Sequence, residues 1–154
     1  MKLTSKHKKE VLNYLKNYKL MSLGTYYKEP WAASVYYLFD EEFNFYFLGS
    51  PNTIHCKNIA KNPKVSITIA DSRQKASDKK VGFQARGLAT KINSITEVKE
   101  VIIAWNKRHL DVPPLTFKTF SKVWKSKLHK IKLTDIKMFD ENMSEKDEER
   151  MWKV

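Results

Sequence analysis

One stretch of this 154-residue sequence, residues 43–70, constrains the fold more than any other. It reads as four elements in close succession: an aromatic strand over residues 43–48, a turn at Gly49-Ser50-Pro51, a helix capped by Asn52 or Thr53 that ends at Asn62-Pro63, and an apolar strand over residues 65–70. A short helix held directly between two strands indicates a small β-rich domain.

The first turn of this helix is a predicted anion-binding site. Free backbone N–H groups and the positive end of the helix dipole lie there. The neighbouring side chains of Ser50, Thr53, His55 and Lys57 are all hydrogen-bond donors. A phosphate monoester would fit this set, and an ordinary capped surface helix is the alternative interpretation.

The rest of the chain reads mostly as strands with flanking helices. We expect a helix over residues 5–17 with Thr4 or Ser5 as its cap, and a later helix opened by a Ser94–Glu97 capping box. The expected strands are residues 20–27, 32–40 and 44–49 in an antiparallel meander, then 81–91, and a last long strand over 128–139. A polar loop over 71–80 and an aromatic segment over 117–124 lie between them. We expect one domain over residues 1–139. The charged tail, residues 140–154, could end in a short strand at Met151-Trp152.

Composition favours a soluble protein in a reducing compartment. Hydrophobic residues make up 42% of the chain, and no apolar run approaches the roughly 20 residues that span a bilayer. The basic N-terminus leads into a mixed polar helix rather than an apolar signal core. Cys56 stands alone, so it cannot form an internal disulfide. We therefore expect a cytoplasmic location and no membrane partner.

The net charge of +12 raises the question of a nucleic-acid partner. The basic residues are mostly lysines, and they are spread from Lys2 to Lys153 without an arginine-rich block or a zinc-finger spacing. Nucleic acid is therefore the less favoured partner, and the same charge would attract small anionic ligands.

Other residues give no site for a metal or for acyl transfer. His109 and His129 have no second ligand at metal spacing, so we expect surface or half-buried imidazoles and no metal. No G-x-S-x-G elbow is present, and we name no catalytic residue. Aromatic residues on neighbouring strands could flank a flat ring system or could simply pack across the strands: Tyr26, Tyr27, Trp31, Tyr36 and Tyr37.

These motifs together resemble the split-barrel flavoproteins related to pyridoxamine 5'-phosphate oxidase. Thr53, His55 and Asn62-Pro63 fall where that family has its phosphate turn and the end of the following helix. Residues 31–39 and 43–48 resemble its hairpin, and residues 81–91, with Gln84 and Gly87, resemble its central strand. A small bacterial branch is more similar still, since its late strand V-W-x(3)-L-x(2)-I-K-x-T-D matches residues 123–135.

The resemblance implies a split antiparallel β-barrel of Greek-key type that binds FMN, with haem or a deazaflavin as alternative cofactors. It further implies a homodimer with the cofactor at the interface and a small-molecule substrate. The residues implied for the cofactor are Ser50, Thr53, His55 and Lys57 on the phosphate, Ser34, Tyr36, Gly49 and Gln84 around the ring, and Trp124 packed over the ring from the partner chain.

The implied activity is that of an FMN-dependent oxidoreductase, and a non-catalytic haem- or flavin-binding protein is the alternative. The late strand has Lys127-Leu128-His129 in a setting unlike the Arg-x-His pair with which pyridoxamine phosphate oxidases hold their substrate. Pyridoxal phosphate synthesis is therefore disfavoured.

Overall fold

The computed structural model describes residues 2–119, 127–141 and 151–154. Its elements in chain order are α1 (Ser5–Lys16), β1 (Leu20–Tyr27), β2 (Glu29–Tyr36), β3 (Leu38–Phe39), β4 (Asn44–Leu48), α2 (Ile54–Lys61), β5 (Lys64–Ala70), β6 (Val81–Lys91), α3 (Ile95–Arg108), α4 (Phe117–Thr119), β7 (Leu128–Asp140) and β8 (Met151–Lys153). The mostly β composition with flanking helices is confirmed.

The strands form one antiparallel sheet whose two edges meet. The order is β2-β1-β5-β6-β7-β4-β3, so the edge strands β2 and β3 are consecutive in the chain and are separated only by Tyr37. A sheet whose edges are joined through one residue must curl into a barrel-like shape. The split antiparallel barrel expected from the sequence is confirmed.

The prediction of one strand over residues 32–40 is wrong, because Tyr37 interrupts the strand and separates β2 from β3. The Tyr37 backbone N–H donates to Lys19 O, and its hydroxyl donates to Leu15 O at 2.9 Å. The Arg108 guanidinium donates to Tyr37 O at 3.1 Å and lies over the Tyr37 ring. These contacts from distant segments turn the chain at Tyr37. As a result, β2 pairs with β1, whereas β3 pairs with β4 at the opposite edge of the sheet. The predicted meander, in which three consecutive strands pair in order, is therefore wrong.

Strand β7 connects the two parts of the sheet. One side of β7 pairs with β6 from His129 to Asp140. The other side pairs with β4 through residues 128–132 and with β8 through residues 135–137. The register with β6 shifts between Arg86 and Gly87, which leaves Thr134 as an extra residue on β7.

The helices bury apolar stripes on both sides of the curled sheet. In α1, Val11, Tyr14 and Leu15 enter the main core, and the Tyr14 hydroxyl donates to Ile69 O. In α3, buried apolar residues form a second core with the outer side of β3 and the start of β7: Val98, Val101, Ile102 and Trp105. The predicted caps are present, since the Thr4 side chain accepts from His7 N and the Ser94 side chain accepts from Glu97 N.

Within the described ranges, no helix is both long enough and apolar enough to cross a membrane.

Candidate functional site

The turn between β4 and α2 is held by short hydrogen bonds. Gly49 N donates to Lys127 O at 2.7 Å, and Thr53 N donates to Ser50 O at 3.0 Å. A Cβ on Gly49 would lie 2.5 Å from Cys56 Sγ, so only glycine lets the strand end approach the helix this closely. The turn thus presents the start of α2 beside the end of β4.

Thr53 is the N-cap residue of α2, but its side chain does not cap the helix. The Thr53 hydroxyl donates instead to Ser50 O at 2.7 Å. The first backbone N–H groups of α2 therefore lack a side-chain acceptor, and such groups are suited to bind an anion. Ser50 is half-buried beside them, and Lys57 is exposed in the first turns.

His55 points inward, which differs from its predicted place among the outward donors. Its ring is buried beside Phe47, and Nε2 lies 3.2 Å from Thr53 Oγ1. Because the Thr53 hydroxyl proton goes to Ser50 O, the Thr53 oxygen accepts from Nε2–H. Burial lowers the pKa of His55 below its usual value, so the ring is neutral at pH 7.

A second histidine lies behind the same aromatic ring. His129 stacks on Phe47 with ring centroids 5.0 Å apart, and its Nδ1 lies 3.2 Å from Lys127 O. Burial lowers the pKa of His129 to about 4. His109 is also buried, against Trp105, so the expectation of exposed or half-buried imidazoles at positions 109 and 129 is wrong. Both imidazoles therefore pack against aromatic rings inside the protein.

Three of the residues predicted for the ring lie on the solvent side of the sheet. Ser34 pairs with Ser22, Ser22 with Thr68, and Thr68 with Gln84, so a row of hydroxyl and amide side chains crosses β2, β1, β5 and β6. We call this the polar row. Tyr36 is exposed on the same face of β2 as Ser34, and its ring meets His109 edge-on at 5.7 Å.

Two separate groups of residues suit the parts of a phosphorylated planar cofactor, and among the described residues no hydrogen bond or ring contact joins the two groups. The uncapped start of α2, with Ser50 and Lys57, suits a phosphate, and the polar row with Tyr36 offers hydrogen-bonding groups beside an aromatic ring. Gly49, Ser50, Thr53 and His55 come together in one turn, whereas Ser34 and Gln84 lie on the sheet. Trp124 lies outside the described residues. In the described part of the chain, no group of three or more His, Cys, Asp or Glu residues could hold a metal ion.

Comparisons of the fold found solved structures that match most of the chain. A candidate pyridoxamine 5'-phosphate oxidase from Listeria innocua is 16% identical, with a TM-score of 0.65 over 85% of this chain and 96% of that one. HutZ, a haem storage protein from Vibrio cholerae, is 18% identical, with a TM-score of 0.65 over 86% and 91%. A FAD-binding protein from Mesorhizobium loti is 15% identical, with a TM-score of 0.61 over 82% and 87%.

The chain has the pyridoxamine 5'-phosphate oxidase-like split-barrel fold. No protein-family sequence model matches this split barrel, and no curated protein matches it by sequence. At 13–18% identity the structural likeness establishes the fold alone. The chemistry of the site must therefore be argued from the residues of this chain.

One feature of this split barrel was missed in the sequence. Arg86 Nε donates to Asp135 Oδ2 at 2.7 Å across β6 and β7, and Thr134 Oγ1 donates to the same carboxylate at 2.9 Å. These residues are 49 positions apart in the chain and meet only through the shifted strand register. A charged pair facing a β-bulge has no local signature, so strand patterns alone could not identify it.

Proposed function

We propose that this split barrel binds FMN and acts as a flavin-dependent oxidoreductase on a small molecule. The uncapped start of α2 is the observation that carries the proposal. Its free N–H groups, together with Ser50, Lys57 and the dipole of the helix, suit a phosphate monoester. His55 contributes as a neutral hydrogen-bonding partner of Thr53 rather than as a cation.

The ring of the cofactor would lie on the polar row. Ser34 and Gln84 would supply hydrogen bonds at its edge, while Tyr36 and the backbone at Gly49 would border it. A bound flavin supplies hydride transfer by itself, so the protein's tasks are to hold, orient and shield it. No acid or base of this chain is needed for that step.

A homodimer with the flavin in the seam is part of the proposal. Large apolar side chains remain exposed on one face of β1, β2 and β6: Leu20, Tyr26, Tyr36 and Leu88. We call this the apolar face. Its burial against a second copy would stabilise both the pairing and a flat cofactor between the chains, with Trp124 of the partner subunit as the predicted cover. The buried free thiol of Cys56 is in keeping with the proposed cytoplasmic setting.

Haem is the second candidate cofactor, because HutZ shares the fold. Haem iron is commonly held by a histidine whose ring nitrogen reaches the iron. His55, His109 and His129 instead pack against aromatic rings of this chain, and His7 packs against Trp152, which disfavours ligation by these imidazoles. The visible spectrum of the purified protein decides between flavin bands, a deazaflavin band and a Soret band.

An acidic residue at the start of α2 tests the phosphate position. Ile54 is the first residue of α2 and is 46% exposed, and Ile95 is the first residue of α3 and is 55% exposed. Glutamate at such a position suits either helix but repels an anion placed at its N–H groups. We expect Ile54→Glu to weaken FMN binding at least about tenfold, a cost of about 1.4 kcal/mol.

Fluorescence quenching of FMN measures this affinity, and Ile95→Glu is the matched control. Riboflavin lacks the phosphate, so its weaker binding should be the same in wild type and in both variants. Equal FMN affinity in wild type and Ile54→Glu would place the phosphate elsewhere and remove the main support for the proposal.

A further inference from the structure

A cleft of about 860 Å³ crosses the sheet beside the polar row. At the β1–β2 end it is lined by Tyr26, Pro30 and Ala32, and at the other end by Lys64, Arg86, Leu88 and Thr134. Aromatic and aliphatic side chains therefore form one end, and cationic and hydroxyl groups form much of the other. Among the described residues, none of those predicted to hold the flavin lines this cleft.

Arg86 is fixed in the cleft by one of its nitrogens and keeps the others available. Its Nε donates to Asp135 Oδ2, while the side chain stays largely exposed. In the part of the chain that the structure describes, neither Nη1 nor Nη2 of Arg86 makes a hydrogen bond. Arg73 differs, since it donates through both Nε and Nη2 to Asp71. The two free Nη groups of Arg86 form a planar pair of donors.

Asp135 cannot neutralise Arg86 by itself, because it is shared. Lys153 Nζ forms an ion pair with Asp135 Oδ1, on the other side of the same carboxylate. Hydrogen bonds from Arg86 and then from Lys153 hold the pKa of Asp135 far below its usual range, so the carboxylate is charged. One negative group thus faces two positive groups, and Lys64 adds a further positive charge to the cleft.

The β-bulge holds this arrangement in place. Thr134 is the extra residue, and its hydroxyl lies 3.2 Å from Arg86 O and 2.9 Å from Asp135 Oδ2. A Cβ on Gly87 would lie 2.4 Å from Lys132 O, so the close approach of β6 to β7 at the bulge requires glycine. Bulges commonly redirect side chains beside functional sites.

We propose that this cleft binds a planar aromatic carboxylate, the substrate class of the proposed oxidoreductase. The Nη1 and Nη2 groups of Arg86 match the two oxygens of a carboxylate, and Tyr26, on the same face of the sheet, contacts the ring. Gln84 and Arg86 are two residues apart on one face of β6, a spacing of about 7 Å. A ligand held by Arg86 therefore lies next to a flavin placed on the polar row. Its role as a substrate rests on the proposed function, whereas its binding to the cleft does not.

Binding of 2-naphthoate to the flavin-free and FMN-loaded protein tests the inference, with neutral 2-naphthamide as the matched probe. We expect naphthoate to bind more tightly than naphthamide, and Arg86→Gln to weaken naphthoate at least about tenfold without changing naphthamide. Arg73→Gln removes the same charge from another Arg–Asp pair and should change naphthoate binding less than about twofold. Equal losses in both variants would show diffuse charge attraction and overturn the inference.

Two further variants test the same site if Arg86→Gln does not fold. Arg86→Lys keeps the charge next to Asp135 but loses the planar pair of donors, so it should also weaken naphthoate. Tyr26→Ala leaves the ion pairs intact and should weaken both probes alike. Unchanged naphthoate affinity in both variants would contradict the site.

The FMN affinity of Arg86→Gln distinguishes an error in the substrate site from an error in the flavin site. FMN affinity should be the same in wild type and Arg86→Gln, because the phosphate lies at α2. Loss of FMN binding in Arg86→Gln would show that the cleft holds the flavin itself, which overturns the substrate site. If the protein binds no flavin, the naphthoate titration on the flavin-free chain still decides whether the cleft takes an aromatic carboxylate.

Discussion

Single residues beneath the start of α2 show how burial changes the role of a side chain. His55 has the donor chemistry that a phosphate site needs, but its ring packs against Phe47 and bonds to Thr53. His129 packs on the same Phe47 ring. The residue type could be identified from the sequence, whereas the direction of the side chain depends on packing partners far along the chain.

The buried ring of His129 should make stability depend on pH. Its pKa is about 4 in the folded protein, against about 6.5 when unfolded, so the unfolded chain binds the proton more readily. Stability is therefore full above pH 6.5 and is lost as pH falls toward 4, by about 3 kcal/mol from this residue. In His129→Asn, whose amide can still donate to Lys127 O, that part of the pH dependence should disappear.

Urea unfolding at intervals from pH 4.5 to 7 measures the effect as the difference between the two proteins. His55 and His109 also have lowered pKa values, so His129→Asn keeps part of the slope. Parallel curves for wild type and His129→Asn would mean that His129 is not the buried neutral group described here.

At the scale of elements, local signals predicted most of the structure. The strand over residues 81–91 and the capping residues Thr4 and Ser94 agree with β6, α1 and α3, because propensity, periodicity and caps act within a few residues. The break at Tyr37 could not be predicted in this way. It depends on Arg108, which is 71 residues away and also donates to Leu15 O.

Strand β8 is a second element whose importance is not visible locally. Met151–Lys153 pairs with the middle of β7, and the Trp152 side chain is 1% exposed in the main core beside His7. Trp152→Ala should lower the free energy of unfolding by about 3–5 kcal/mol, because it leaves a large cavity. Chemical denaturation followed by circular dichroism measures this loss. Met151→Ala alters an exposed neighbour and should cost less than about 1 kcal/mol, and equal effects of the two variants would contradict the burial of Trp152.

The whole molecule combines an apolar face with a large positive charge. The apolar face favours association of two copies, whereas a net charge of +12 on each copy opposes it. Salt screens the repulsion between the copies and leaves the apolar contact intact. A nucleic-acid complex would show the opposite trend, because its binding weakens as salt rises.

The proposed dimer can be tested at its seam with one charge. Leu20 is 48% exposed on the apolar face and pairs with Tyr36 across β1 and β2, whereas Ile103 is 57% exposed on α3. In a twofold dimer Leu20→Glu places two carboxylates in the seam, so the dimer should dissociate at concentrations about tenfold higher than in wild type. Ile103→Glu changes a comparable exposed residue outside the apolar face and should leave association unchanged. Light scattering measures both.

Added FMN should return Leu20→Glu toward the dimer, because a ligand that binds only the assembled form stabilises it by mass action. Riboflavin should do so less well, since the phosphate at α2 adds affinity and its negative charge offsets part of the repulsion between two basic chains. Higher salt should favour the wild-type dimer even without a ligand. If the wild type is a monomer at every salt concentration and still binds one FMN per chain, the shared site is wrong, and the flavin must be held by the residues of a single split barrel.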